Sequence, residues 1–150
     1  MAELVATQDS PTATGAKSRN TANITAKRNK ERLCVKMEDC LFCKIIKGEI
    51  PSTKVYEDEY VYAFNDIEPQ APYHVIIVPK IHIKSANEIN SENSIYVAKI
   101  MEAVGKIAKQ LGFAENGYRV INNCGVDGGQ TVGHLHFHLT GGRQFGWPAG

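Results

Sequence analysis

Nothing in the chain has the length and apolarity of a membrane span. No apolar run approaches the roughly 18 residues that a helix needs to cross a bilayer, and the first residues carry no secretory hydrophobic segment, so the cytosol (a cytoplasmic location) is expected. Charge of one sign is scarce too: 17 Lys and Arg stand against 16 Asp and Glu, a formal net charge of +1. A field that weak gives no ground for nucleic acid or a membrane surface as partner and leaves anion binding to a local site. Cysteine occurs only at Cys34, Cys40, Cys43 and Cys124, which in a reducing compartment read as thiols or metal ligands instead of a disulfide frame. Aromatic residues are missing from the first 36 positions, as is any sustained apolar period. Met1–Lys36 is rich in Thr, Ala, Ser, Asn and Lys/Arg and cannot offset its ordering entropy, so 1–36 is expected to be a disordered extension. Its basic half, Lys17 to Arg32, would suit RNA or a transit peptide, but Glu3 and Asp9 weaken the latter and a plain solvated tail is the simpler reading.

The remainder, 37–150, is read as one domain. With 43% of the chain hydrophobic there is material for a single core, and no internal repeat divides it. Leu41 to Ile46 predicts a short helix stopped by Gly48 and the Ile50-Pro51 step. Lys54 to Glu57 and Tyr60 to Phe64 predict a hairpin around Asp58 and Glu59, and His74 to Val78 a buried strand closed by Pro79. Asn90 or Ser91 can cap a long helix from about Ile95 to Leu111, in which Ile100, Val104, Ile107 and Leu111 form an apolar stripe ended by Gly112. Tyr118 to Asn122 and Val132 to Leu139 predict two further strands. The sum is an α+β fold: a mainly antiparallel five-stranded sheet with one long helix across a face and a short N-terminal helix.

The stretch His134-Leu135-His136-Phe137-His138-Leu139 holds three of the five histidines. Strict alternation favours a strand over a helix, with the imidazoles on one face and the bulky apolar side chains on the other. Alternate strand residues lie about 6.5 to 7 Å apart, too far for all three rings to bind one ion. An extended, negatively charged phosphate ester matches such a row better. The preceding loop strengthens that reading, because Gly125, Gly128 and Gly129 allow backbone N–H groups to turn toward an oxyanion and Thr131 adds a hydroxyl. An ordinary glycine turn is the plainer alternative. Neutral imidazole can attack phosphorus and split one displacement into two, and His136, with a histidine on each side, is nominated as nucleophile.

The runs Asp66-Ile67-Glu68-Pro69-Gln70-Ala71-Pro72-Tyr73-His74, Val78-Pro79-Lys80-Ile81-His82 and Gly128 to Arg143 together resemble the histidine triad (HIT) family, in particular its histidine triad nucleotide-binding branch. The resemblance covers about Asp39 to Gly150. It implies a homodimer whose sheet continues across two subunits, and hydrolysis of purine nucleoside 5'-phosphoramidates to a nucleoside monophosphate and an amine through a nucleotidyl-histidine intermediate. By position, His136 matches the nucleophile, His138 the phosphate or leaving-group contact and His74 the fourth histidine, supporting the nucleophile's proton network. Asp66 matches the carboxylate that receives the ribose hydroxyls, Phe64 and Ile67 lie near the base, and Asn123, Gln130 and Thr131 match phosphate-side contacts. Asp66 has a plainer rival role, capping a turn before Pro69, and His74 could be an ordinary buried strand histidine. Trp147, in a tail that in the family reaches the partner's nucleotide site, is a specificity candidate or a dimer contact.

Cys40-Leu41-Phe42-Cys43 by itself could be a redox pair, two core thiols or half of a tetrahedral zinc site. The family resemblance implies His82 and His134 as the two further ligands. That would make a structural zinc site and leave His136 and His138 for phosphate, with no cofactor required for catalysis. A dinucleoside polyphosphate hydrolase of the same superfamily and a nucleotide-binding regulatory or scaffold protein are the alternatives. Thr140-Gly141-Gly142-Arg143 resembles the nucleotide-binding branch and favours phosphoramidate over polyphosphate.

Overall fold

In the computed structural model, which describes residues 39–150, the chain enters through helix α1 (Leu41–Ile46). The disordered extension expected over 1–36 lies outside the described residues. Phe42, Cys43 and Ile45 are the buried side chains of α1, and this one and a half turns is too short to persist alone. Strands β1 (Lys54–Glu57), β2 (Val61–Asn65) and β3 (Tyr73–Pro79) follow. Helix α2 (Ser94–Gln110) precedes β4 (Tyr118–Ile121) and β5 (Phe137–Gly141). The five strands stand in the order β1-β2-β3-β5-β4, and every neighbouring pair is antiparallel.

Alternation along β3 explains both faces of the sheet. Val75 and Ile77 join Val61, Ala63 and Leu139 beneath Ile100, Val104 and Ile107 of α2, which is the stripe read from the sequence. Ile76 and Val78 point the other way and pack with Phe64 and with Phe42, Cys43 and Ile45 of α1. A strand covered on both faces reads as a continuous apolar run, as His74 to Pro79 does. Helix α2 ends where Gly112 takes a φ of +81°, a conformation that costs glycine little. Its N-terminus differs from the expectation. Asn93 is the cap residue, and the Asn90 and Asn93 side chains accept the N–H groups of Glu92 and Asn90 in the turn just before.

The histidine segment departs further from the sequence reading. Strand β5 begins only at Phe137, so His134 and His136 lie in irregular backbone and His138 alone belongs to the sheet. The hydrogen bonds explain this: Leu135 N–H donates to the Ile83 carbonyl at 2.6 Å, and the His136 carbonyl accepts from the Asn122 side-chain amide at 2.8 Å. Both groups are diverted from the ladder. Nor do the rings share an open face, since His134 is 0% and His136 3% exposed.

Candidate active site

His136 is held at its main-chain carbonyl and at its ring. Its Nδ1 lies 2.7 Å from the His134 carbonyl, which can only accept, so Nδ1 carries the proton and Nε2 of the neutral ring keeps a bare lone pair. Edge-to-face contacts flank the ring, Phe42 at 5.2 Å and His138 at 5.1 Å between centroids. Asn122, which directly follows β4, fixes the carbonyl.

At His138 the proton sits on the other nitrogen. The backbone N–H of Gln70 donates to His74 Nδ1 at 3.1 Å, so the neutral His74 ring has its hydrogen on Nε2. That hydrogen faces His138 Nδ1 at 2.9 Å and the Asp66 carboxylate at 3.3 Å. His138 Nδ1 is therefore an acceptor and its Nε2 a donor. Burial lowers the pKa of His74, partly offset by Asp66. Burial likewise lowers that of His138, aided by the His136 and His74 rings and opposed by Asp66. The outward Nε2–H of the neutral His138 ring is thus a donor beside the bare Nε2 of the His136 tautomer. His74 thus meets His138, whose ring packs against that of His136, while the Nδ1–H of His136 is held by main chain.

Asp66 fills the turn-capping role weighed for it and also meets a histidine. One carboxylate oxygen accepts the Glu68 N–H in a turn ahead of Pro69, and the other faces His74. Beside it a groove of about 410 Å³ runs between Phe64, Asp66 and Ile67 on one side and Pro51, Ser52 and Thr53 on the other. Phe64 is buried against Phe42, whereas Ile67 is 95% exposed at the rim, where a planar ligand would cover it.

Gln130 braces the glycine loop. Its Oε1 accepts Gly125 N–H and its Nε2 donates to the Lys84 and Val132 carbonyls, so the side-chain amide expected to meet phosphate is spent on protein. Gly125 and Gly129 adopt φ of +71° and +73°, which closes the loop on itself: their N–H groups donate to Gln130 Oε1 and to the Val126 carbonyl. Asn123 is half-buried beyond β4, and Thr131 is exposed at the end of the loop. Trp147 is 88% exposed in a tail tethered by Arg119, which donates to the Gly146 carbonyl at 2.6 Å and lies over Phe145. Within this chain it does not close over the histidines. The sequence reading missed Phe42 and Asn122; a side chain that braces main chain leaves no motif.

A second cluster lies behind the first. The Sγ atoms of Cys40 and Cys43 and the ring nitrogens of His82 and His134 all fall within 4.8 Å of one another, a donor set that could hold a metal ion. His134 Nε2–H donates to the Pro79 carbonyl at 3.0 Å, which turns a bare Nδ1 toward both sulfurs at 3.4 and 3.5 Å. Burial lowers the His134 pKa to about 4 and raises that of Cys43 to about 12, the latter aided by Cys40. Asp66, His74 and His138 also converge, but the lone pair that an ion would need on His74 Nε2 is occupied by a proton. Soft-donor chemistry and tautomers thus separate a cluster suited to a metal from one suited to a proton relay.

An open antiparallel sheet backed by one long helix, with a histidine-rich strand entry on its other face, defines an α+β domain built around paired imidazoles. The chain belongs to the HIT domain family, whose model matches residues 47–145. It is 48% identical over 109 residues to the purine nucleoside phosphoramidase of Escherichia coli K12, covering 73% of this chain and 92% of that protein. Over 118 residues it is 51% identical to the 14 kDa zinc-binding protein of Zea mays, covering 73% and 87%. Among solved structures, a HIT family hydrolase from Legionella pneumophila superposes with a TM-score of 0.73 at 50% identity, over 75% of this chain and 100% of that one.

Proposed function

We propose that this protein hydrolyses purine nucleoside 5'-phosphoramidates, releasing the nucleoside monophosphate and an amine through a nucleotidyl-His136 intermediate. One observation carries the reading: the bare Nε2 of His136 lies beside a ring whose own outward nitrogen is a donor. The names of the bacterial relatives agree with it. In the first step the His136 lone pair forms a bond to phosphorus while the bond to the amine breaks. The electron pair goes to the departing nitrogen, which leaves with a proton from solvent. The His134 carbonyl keeps its hold on Nδ1–H, so the adduct is an imidazolium and a good leaving group. His138 Nε2–H donates to the phosphoryl oxygen on which charge gathers. Water then bonds to phosphorus, the bond to His136 returns its electrons to Nε2, and the proton released by water replaces the one the amine took. In this scheme Asp66 receives the ribose hydroxyls, Phe64 and Ile67 hold the base, and Asn123 and Thr131 meet phosphate.

Adenosine 5'-phosphoramidate and diadenosine polyphosphates, supplied in parallel, test the reading. Rapid release of AMP from the phosphoramidate with mass-spectrometric capture of an adduct on His136 is expected; preference for the polyphosphate, or binding without turnover, overturns it.

We read the Cys40, Cys43, His82 and His134 cluster as a structural zinc site. Tetrahedral bonds of about 2.3 Å to sulfur and 2.0 to 2.1 Å to nitrogen put unlike donors about 3.5 Å apart, and three of the four sulfur–nitrogen separations are 3.4, 3.5 and 3.5 Å. The name of the maize relative points the same way. With four protein donors the ion would supply a cross-link between α1 and the entry to β5. About one equivalent of zinc per chain is expected from elemental analysis, lost in the variant with both Cys40→Ser and Cys43→Ser.

A further inference from the structure

The cysteine/histidine cluster and His136 are joined at three places. First, His134 turns its ring Nδ1 to the sulfurs while its main-chain oxygen takes the Nδ1–H of His136 at 2.7 Å. One residue thus serves the cluster with its side chain and selects the tautomer of the attacking ring with its backbone. Second, Phe42 lies between the two cysteines in sequence and meets His136 edge-on at 5.2 Å and His134 at 5.9 Å. Third, the Ile83 carbonyl, one residue beyond His82, accepts the N–H of Leu135 between the two histidines.

The geometry points to a second task for this cluster: His134 and Phe42 are positioning residues that hold His136 in its Nδ1–H form, and filling the four donors locks them in place. Without a cross-link, the thiols meet the imidazoles through weak sulfur hydrogen bonds, and the bond to the Pro79 carbonyl is left to hold the His134 ring. The ring can then pivot on that one bond, and its main chain shifts with it. Phe42 rides on a helix of six residues that has no side-chain cap at its N-terminus and is too short to keep its place without packing and the flanking cysteines. A cross-link that merely raised stability would leave the His136 ring unchanged in molecules that stay folded. This inference rests on His136 being the nucleophile proposed above, but its spectroscopic part needs no substrate.

The test uses the full chain, labelled with ¹⁵N and kept at about pH 8, above the ordinary histidine pKa of about 6.5. Long-range proton–nitrogen spectra assign the His136 tautomer in zinc-loaded protein, after chelation, and after zinc is restored. The Nδ1–H form is expected when loaded, a mixture of both tautomers when stripped, and return to one form on refilling. With adenosine 5'-phosphoramidate, kcat should fall about tenfold on stripping while KM stays within about twofold, the mark of an interaction felt mainly in the transition state. Phe42→Leu, which keeps all four ligands, should bind zinc and show the same kcat loss, and Phe42→Tyr should recover most of it. Where chelation unfolds the chain, the comparison of Phe42→Leu with Phe42→Tyr decides. An unchanged tautomer in folded, zinc-free protein, parental kcat in Phe42→Leu, or a chain that takes up no zinc overturns the inference. If no form cleaves the phosphoramidate, the proposed function falls while the tautomer comparison still decides this one.

Discussion

His136 and His138 carry the same ring two residues apart, and main-chain groups give them opposite faces. The His134 carbonyl claims a proton from one, and the Gln70 N–H, acting through His74, places a proton on the outward nitrogen of the other. His136→Ala removes the attacking atom, so turnover should drop by about a thousandfold or more while the far-ultraviolet dichroism stays that of the parent. The pH dependence follows from His74 and His138, whose pKa values burial holds below the ordinary 6.5. Below pH 6.5 an unfolded chain takes up protons that the folded relay refuses, so stability is lost as pH falls through that window and regained as it rises. Urea midpoints should therefore drop between about pH 7.5 and 5.5, and drop less in His138→Gln. The alternation of HLHFHL revealed three histidines with different tasks. Which nitrogen each leaves bare depends on the carbonyls of His134 and Pro79 and the N–H of Gln70, groups that every residue type supplies.

Helix α2 was legible because its burial repeats every three to four residues: Ile100, Val104 and Ile107 fall on one stripe, and each is within 1% of full burial. Ile107→Ala should lower unfolding free energy by about 2 to 5 kcal/mol in denaturant titrations, with little change in KM, since its cavity opens on the side of the sheet away from the groove. Strand β5 was less legible at its start. The apolar alternation from Val132 to Leu139 runs straight through the point where ladder pairing stops, because Asn122 and Ile83 capture the hydrogen bonds a strand would use. The bracing of the glycine loop was not legible: Gln130 stitches it to Lys84, and a Cβ on Gly128 would run into the Cys124 carbonyl. Gly128→Ala should distort the loop and raise KM for nucleotide more than it lowers the thermal midpoint, which steady-state kinetics beside calorimetry would show.

For the molecule as a whole, we infer that two copies pair along β4, which stands at an edge of the sheet with Tyr118 exposed on it. Light scattering should then give twice the chain mass, and a chain starting at Met37 should keep both that mass and the parent's turnover. In such a dimer Trp147, free of its own chain's histidines, is the candidate to reach the partner's substrate, so Trp147→Ala should change the ranking of amine leaving groups more than the rate with the best one. No helix among the described residues is long and apolar enough to cross a membrane. The two imidazole clusters carry a last consequence. Because the Gln70 N–H keeps a hydrogen on His74 Nε2, the grouping of Asp66, His74 and His138 offers no ready seat for an ion, and among the described residues two sulfur donors meet two imidazoles only at Cys40 and Cys43.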